Sequence, residues 1–132
     1  MSAEIREIRT DAAPAPVGPY SQALAVGEWI FTAGQIPLDP ATGQPVDGEV
    51  EKQVEQAIAN LRAVLEAAGS SLERVVRTTV YVTDLALFPR INGVYARHFS
   101  SEPHPARSTV QVAALPMGVQ VEIDAVALRD RS

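Results

Sequence analysis

PARSTVQVAALPMGVQVEIDAVAL, residues 105–128, decides how the chain is read. Two apolar segments flank the break Leu115-Pro116-Met117-Gly118, and each alternates with the period of two that a pleated strand requires. In the first, Arg107, Thr109 and Gln111 share a face, and Ser108, Val110 and Val112 take the other. In the second, Val119, Val121, Ile123 and Ala125 share a face, opposed by Gln120, Glu122 and Asp124. A guanidinium and a carboxylate thus sit on strands otherwise suited to a core, where charged side chains are rare unless paired. The ordinary explanations are a structural ion pair or a solvated face. The functional one is a site: the planar fork of Arg107 holds a small carboxylate, and Glu122 handles a proton or a water.

Upstream, Val75 to Thr83 alternates Val76, Thr78, Val80 and Val82 against Arg77, Thr79, Tyr81 and Thr83, which predicts another strand. Asp84 caps a helix over roughly 85–99, with Phe88, Ile91, Tyr95 and Phe99 on one side and Gly93 weakening its interior. The surest element is a helix over 50–68. Val50, Val54, Ala57, Ile58, Leu61, Val64, Leu65 and Ala68 make one stripe, Asp47 is the expected N-cap and Gly69 suits the C-terminal cap. Asn60, on its flank, reads as a solvated residue. Leu24–Val26 and Trp29–Gln35 make a hairpin around Gly27-Glu28, with Gly34 marking a bulge or a close approach. Glu4–Arg9 is a weak strand. Residues 10–19 and 37–48 are loop by their Pro and Gly content.

The implied order is β-β-β-α-β-α-β-β, an α/β two-layer domain with a mixed sheet of about six strands and two helices on one face. One domain over 1–132 suits the length. The second sheet face is also apolar, so another copy of the chain is the expected cover.

Acidic residues outnumber basic ones 16 to 11 and the net charge is −5, with one lysine, Lys52, so nucleic acid is not the expected partner. The lack of cysteine excludes disulfides, thiolate-bound metal and a Cys nucleophile, and fits the cytoplasm. No apolar run is long enough for a membrane span, and the first residues lack a signal-peptide core. No metal-ligand spacing or phosphate-cradling loop is present, so no metal or cofactor is expected.

The chain resembles the RidA/YjgF family of reactive-intermediate deaminases over nearly its whole length. The resemblance rests on Gly18-Pro19-Tyr20-Ser21-Gln22-Ala23, on Gly34-Gln35-Ile36-Pro37-Leu38-Asp39-Pro40 with Thr42-Gly43, and on Gln53 through Asn60-Leu61 to Gly69. It continues in Thr83-Asp84-Leu85, Ile91-Asn92 with Tyr95, Pro105-Ala106-Arg107-Ser108, Leu115-Pro116 and Val121-Glu122-Ile123. It implies a chorismate-mutase-like fold assembled as a homotrimeric barrel, with sites between subunits. It also implies hydrolysis of 2-imino acids and their enamine tautomers, such as 2-iminobutanoate and 2-iminopropanoate, to 2-keto acids and ammonia without a cofactor. Arg107 would bind the substrate carboxylate and Glu122 would hold or polarise water. Tyr20 would close the pocket, Asn92 would support it, and the backbone around Gly34 would supply polar contacts. Thr109 would stand on the Arg107 face. Ala33, Gly93 and Thr109 depart from common members, where Ser, Glu and Cys are frequent.

This chemistry is plausible for the residues. An imine carbon is already electrophilic, so orientation by a carboxylate clamp and modest activation of water suffice. His98 and His104 read as a helix-end residue and a loop residue rather than bases. If the last two strands formed a hairpin about residues 115–118, Arg107 and Glu122 would stand roughly 13 Å apart. Either these strands are not neighbours or the two residues meet across a subunit boundary. Two other readings compete: a trimeric module that binds keto acids without turnover, and a ribonuclease or translation inhibitor.

Overall fold

In a computed structural model, described over residues 4–130, the alternating segments form strands and the periodic segments form helices. The strands are β1 (Ile5–Ile8), β2 (Ala23–Val26), β3 (Trp29–Thr32), β4 (Val75–Val82), β5 (Ala106–Gln111) and β6 (Val121–Leu128). The helices are α1 (Val50–Ala67), between β3 and β4, and α2 (Phe88–His98), between β4 and β5. A single sheet results, in the order β1-β2-β3-β6-β4-β5. Only β4 and β5 are parallel; β6, last in sequence, lies between β3 and β4 and is antiparallel to both. The last two strands are therefore not a hairpin, because β4 separates them.

Every apolar position of the α1 stripe is buried, from Val50 to Ala68. The stripe packs on the sheet face formed by Ala25, Ile30, Val80, Val82, Val121, Ile123, Ala125 and Ala127. From α2, Ile91, Val94 and Tyr95 join it, with Phe99 stacked on Tyr95 at a ring separation of 4.4 Å. Gly69 has φ +79°, as a helix-ending glycine should. Asp84 caps a short 3-10 turn, Leu85–Leu87, through Ala86 N–H, and α2 starts only after it.

Three sequence expectations fail here. Asp47 is not the N-cap of α1: Glu49 holds that position, with no side-chain cap bond. Val76 does not continue the inward row of β4. A register shift between Val75 and Arg77 buries Val75 and exposes Val76. Asn60 is not solvated but buried. Its Nδ2 donates to Ile36 O (3.1 Å) and Leu38 O (2.9 Å), and its Oδ1 accepts from Gln56. It ties the strand-like segment after Gly34 to α1, and it satisfies the Leu38 carbonyl, which would otherwise be buried without a partner.

Register assigns the opposite face to Leu24, Val26, Trp29, Phe31, Glu122, Asp124, Val126 and Leu128, with Ile5 at its edge. No described element of the chain covers it, and Trp29 and Phe31 are nearly half exposed. Exposed apolar surface of this extent marks a contact surface. No helix among the described residues is long and apolar enough to cross a membrane.

Candidate active site

Glu122 lies on the central strand β6, opposite Tyr81 of β4 and on the uncovered face. Beside it runs the segment after β3. Gln35 N–H donates to Ile123 O (2.8 Å) and Ile123 N–H to Gln35 O (3.1 Å), which brings Gly34 under the Glu122 side chain. A Cβ built on Gly34 would fall on the Glu122 carboxylate. This is the close approach expected of Gly34, and the partner is a side chain. Burial pushes the Glu122 carboxyl above the usual carboxylate range, and the negative charge of Asp124 pushes the same way. No cation among the described residues pairs with it. The carboxyl therefore keeps its proton to a higher pH than an exposed glutamate does.

Glu122 opens into a cavity of about 420 Å³ whose walls include Tyr20, Ala33, Gly34, Ile36, Leu38 and Met117. The loop before β2 forms one wall, and Gln22 holds that loop in place. Buried beneath it, Gln22 accepts from Thr10 N–H at Oε1 (2.7 Å) and donates through Nε2 to Thr10 O (3.0 Å) and Pro14 O (2.9 Å). Asn60 holds the opposite wall through Ile36 and Leu38. In the sequence, Asn60 reads as a solvated residue and Gln22 only as part of a motif. A signal for Asn60 existed, since it stands three residues after Ala57 and four before Val64, within the buried stripe. Gln22 carried no such signal.

Arg107 lies elsewhere. It pairs with Thr78 across β4–β5, and Thr78 is wholly buried on the helix side. Its guanidinium sits 4.7 Å from the Tyr95 ring centroid and 5.1 Å from that of Phe88, and Nη1 donates to Asn92 Oδ1 at 2.8 Å. Asn92, Tyr95, His104 and Arg107 line a second cavity of about 380 Å³. Thr109 shares the Arg107 face, opposite Val80, but lines neither cavity. Gly93 points into open space. His98 ends α2 as expected, with Nε2 2.7 Å from Glu55 Oε2. His104 is more than a loop residue, since it lines the cavity of Arg107.

The ion-pair explanation of Arg107 and Glu122 is thereby overturned. Through β4, Arg107 aligns with Ala125, three residues from Glu122. Two strand spacings and three residues put their Cα atoms roughly 14 Å apart. Moreover, Glu122 faces the uncovered side and Arg107 the helix side. The chain carries two half-sites: a protonatable carboxyl beside an apolar hollow, and an arginine with no carboxylate partner among the described residues. The first can exchange a proton or orient water; the second can hold a carboxylate. Among the described residues, no group of three or more His, Cys, Asp or Glu could hold a metal.

Known proteins are similar to this chain over most of its length. Protein DfrA of Myxococcus xanthus is 53% identical over 93% of this chain and 95% of its own. The human 2-iminobutanoate/2-iminopropanoate deaminase is 45% identical over 98% of this chain and 94% of its own. The crystal structure of Escherichia coli TdcF with bound serine superposes with a TM-score of 0.89 at 41% identity, covering 95% of this chain and 99% of that one. The family model described as Endoribonuclease L-PSP matches residues 10–129. The chain belongs to that family, the one that also carries the names RidA and YjgF.

Proposed function

We propose that this protein hydrolyses 2-imino acids, and their enamine tautomers, to 2-keto acids and ammonia, and that it does so as a homotrimer. The observation that carries the reading is the pair of complementary half-sites on opposite faces of one sheet. Neither completes a site alone. A second copy seated on the uncovered face brings the Glu122 cavity of one protomer against the Arg107 edge of the next. The same contact covers Leu24, Trp29, Phe31 and Val126. The human relative's name gives the reaction class, and the serine bound to TdcF shows that a related protein takes a small amino acid.

In this reading Arg107 binds the substrate carboxylate through its free nitrogens, held at its back by Asn92 and two aromatic faces. Glu122 orients the attacking water. With the imine nitrogen protonated, the water oxygen bonds to C2, the C=N π pair moves to nitrogen, and one water proton passes to the carboxylate, which then protonates that nitrogen. As the C–N bond breaks, the hydroxyl oxygen closes the C=O bond and its proton goes to the departing ammonia, so keto acid and ammonium leave. A carboxyl whose pKa is raised by burial suits both proton steps. Tyr20 and Met117 form the mouth of the Glu122 cavity, and the backbone at Gly34 lies against the reacting carboxylate. We place the protein in the cytoplasm, where enzymes that release such imines operate.

The test couples the purified protein to a threonine dehydratase and follows imine disappearance. Acceleration that is lost in Arg107→Ala supports the reading. No acceleration, or an unimpaired Arg107→Ala, rejects it. In that event, calorimetric binding of 2-ketobutyrate would favour a carboxylate-binding module without turnover. The ribonuclease function in the family's name has less support here, because Glu122 and Asp124 make the uncovered face acidic.

A further inference from the structure

The Arg107 cavity is larger than one carboxylate needs. It holds about 380 Å³, where a single water in the liquid takes about 30 Å³. Its walls divide by chemistry: Tyr95, Ala96, Phe99 and Pro105 give ring and alkyl surface, while Asn92, His104 and Arg107 give polar groups. No Asp or Glu lines it, in a chain where acidic residues outnumber basic ones 16 to 11. A cavity that excludes acids from its lining while holding an arginine and an imidazole suits anions.

The two histidines differ in what they already do. His98 is engaged at both ring nitrogens, by Glu55 at 2.7 Å and Arg62 at 3.3 Å. No hydrogen bond or ion pair from a described residue engages His104. Its ring has at least one N–H to donate in either protonation state. His104 stands three positions before Arg107, and both line the same cavity. Two side chains with N–H donors on the wall of one cavity can hold a molecule with an acidic group at each end of a short carbon chain.

We propose that His104 is a specificity-determining residue, which donates to a second carboxylate on the substrate. The preferred substrates are then 2-imino acids with an acidic side chain, the class formed when acidic amino acids lose two electrons at the amino carbon. This rests on the imine-hydrolysis reading above. Arg107 holds the carboxylate next to the imine and His104 the distal one. The hydrolytic step is unchanged, so the effect of His104 is confined to the choice of side chain. Sequence position alone gave no hint of this, because His104 lies outside the strand.

The experiment generates imines in place with amino acid oxidases, one from aspartate or glutamate and one from alanine. It measures kcat/KM for each with the wild type, His104→Ala, His104→Phe and His104→Gln. The expected result is a loss of about tenfold in His104→Ala and His104→Phe for the acidic imine only, the size of one hydrogen bond to a charged group. The alanine-derived imine should change by less than about twofold. His104→Gln, which keeps a donor, should recover part of the loss. Equal losses on both imines, or none on either, overturn the proposal. So does a wild type that hydrolyses the alanine-derived imine and ignores the acidic one. Failure of the wild type on both imines removes the deaminase reading itself, which is a separate result.

Discussion

Glu122 stands on a strand with a neighbour on each side, whereas Arg107 stands on the edge strand with one. The surroundings follow from that difference. Around Glu122 the fold leaves little freedom: Gly34 lies under the carboxylate, Gln35 is bridged to Ile123, and Asn60 and Gln22 hold the cavity walls through buried hydrogen bonds. Around Arg107 the chain provides one hydrogen bond, two ring faces and an open hollow. The carboxyl half is pre-organised by the core of its own chain. The arginine half is held from behind and left open in front, as expected of a group whose partners are a ligand and a second copy.

The strongest way to break this comparison is to put both halves in one mixed assembly. Arg107→Ala and Glu122→Gln should each lower kcat/KM by about two orders of magnitude or more. If the site is shared, unfolding and co-refolding the two variants at equal amounts should restore about a quarter of wild-type activity, since half the protomers supply each intact group. Activity that stays at the level of the single variants would show that each chain works alone and would dismantle the inter-subunit reading.

Gly34→Ala addresses the carboxyl half by itself. The added methyl would occupy the space of the Glu122 carboxylate, and the cheapest response is for that side chain to swing away. The backbone at Gly34 is not in the left-handed region, so no strain adds to the cost. Activity should fall about tenfold or more while the melting temperature moves by only a few degrees. A large loss of stability with catalysis intact in the folded fraction would mean that Gly34 serves packing alone.

The two asparagines sharpen the contrast between a built half and an open one. Asn60→Ala strands the carbonyl of Leu38, while Ile36 O keeps the N–H of Leu38, and should cost about 1–3 kcal/mol of stability. Asn92→Ala removes one bond to a partly exposed guanidinium. It should leave stability within about 1 kcal/mol and raise KM instead. Denaturant titration and steady-state kinetics on both variants decide this, and the reverse pattern would invert the assignment of the two halves.

Much of this was legible in the sequence. Period-two alternation located β4, β5 and β6, the Gly27-Glu28 turn located β2 and β3, and the α1 stripe proved buried at every predicted position. The pairing was not legible: the break Leu115-Pro116-Met117-Gly118 left open whether the last two strands are neighbours, and it leads into a strand that inserts between β3 and β4 instead of beside β5. Local spacing says which face a residue takes within its strand but not which strand comes next to it, and the separation of Arg107 from Glu122 depended on the latter. Gln22 and Asn60 were missed for a related reason. Polar side chains are expected in water, and only tertiary contact reveals the backbone carbonyls that justify burying them. His104 was set aside because loop membership carries no information about which cavity a side chain lines.

The smallest effect concerns the price in stability of keeping Glu122 where it is. Its carboxyl is held above the usual range by burial and by Asp124, which itself accepts a hydrogen bond from Tyr81 (3.1 Å). A carboxyl raised on folding favours the folded state while protonated, and that contribution disappears as pH rises through the folded pKa. At neutral pH the wild type therefore carries an unfavourable ionised group that Glu122→Gln lacks. Glu122→Gln should melt at a higher temperature than the wild type at pH 7. The gap should close as pH falls below the ordinary carboxylate range, where both side chains are neutral. Arg107→Ala should show no comparable pH-dependent gap, because its guanidinium stays charged throughout. Melting curves of the three proteins at about pH 3 and pH 7 test this. A wild type that is the more stable at pH 7 would mean that a cation from another copy compensates Glu122 in the assembly, placing the arginine half closer to the carboxylate than a bound substrate between them allows.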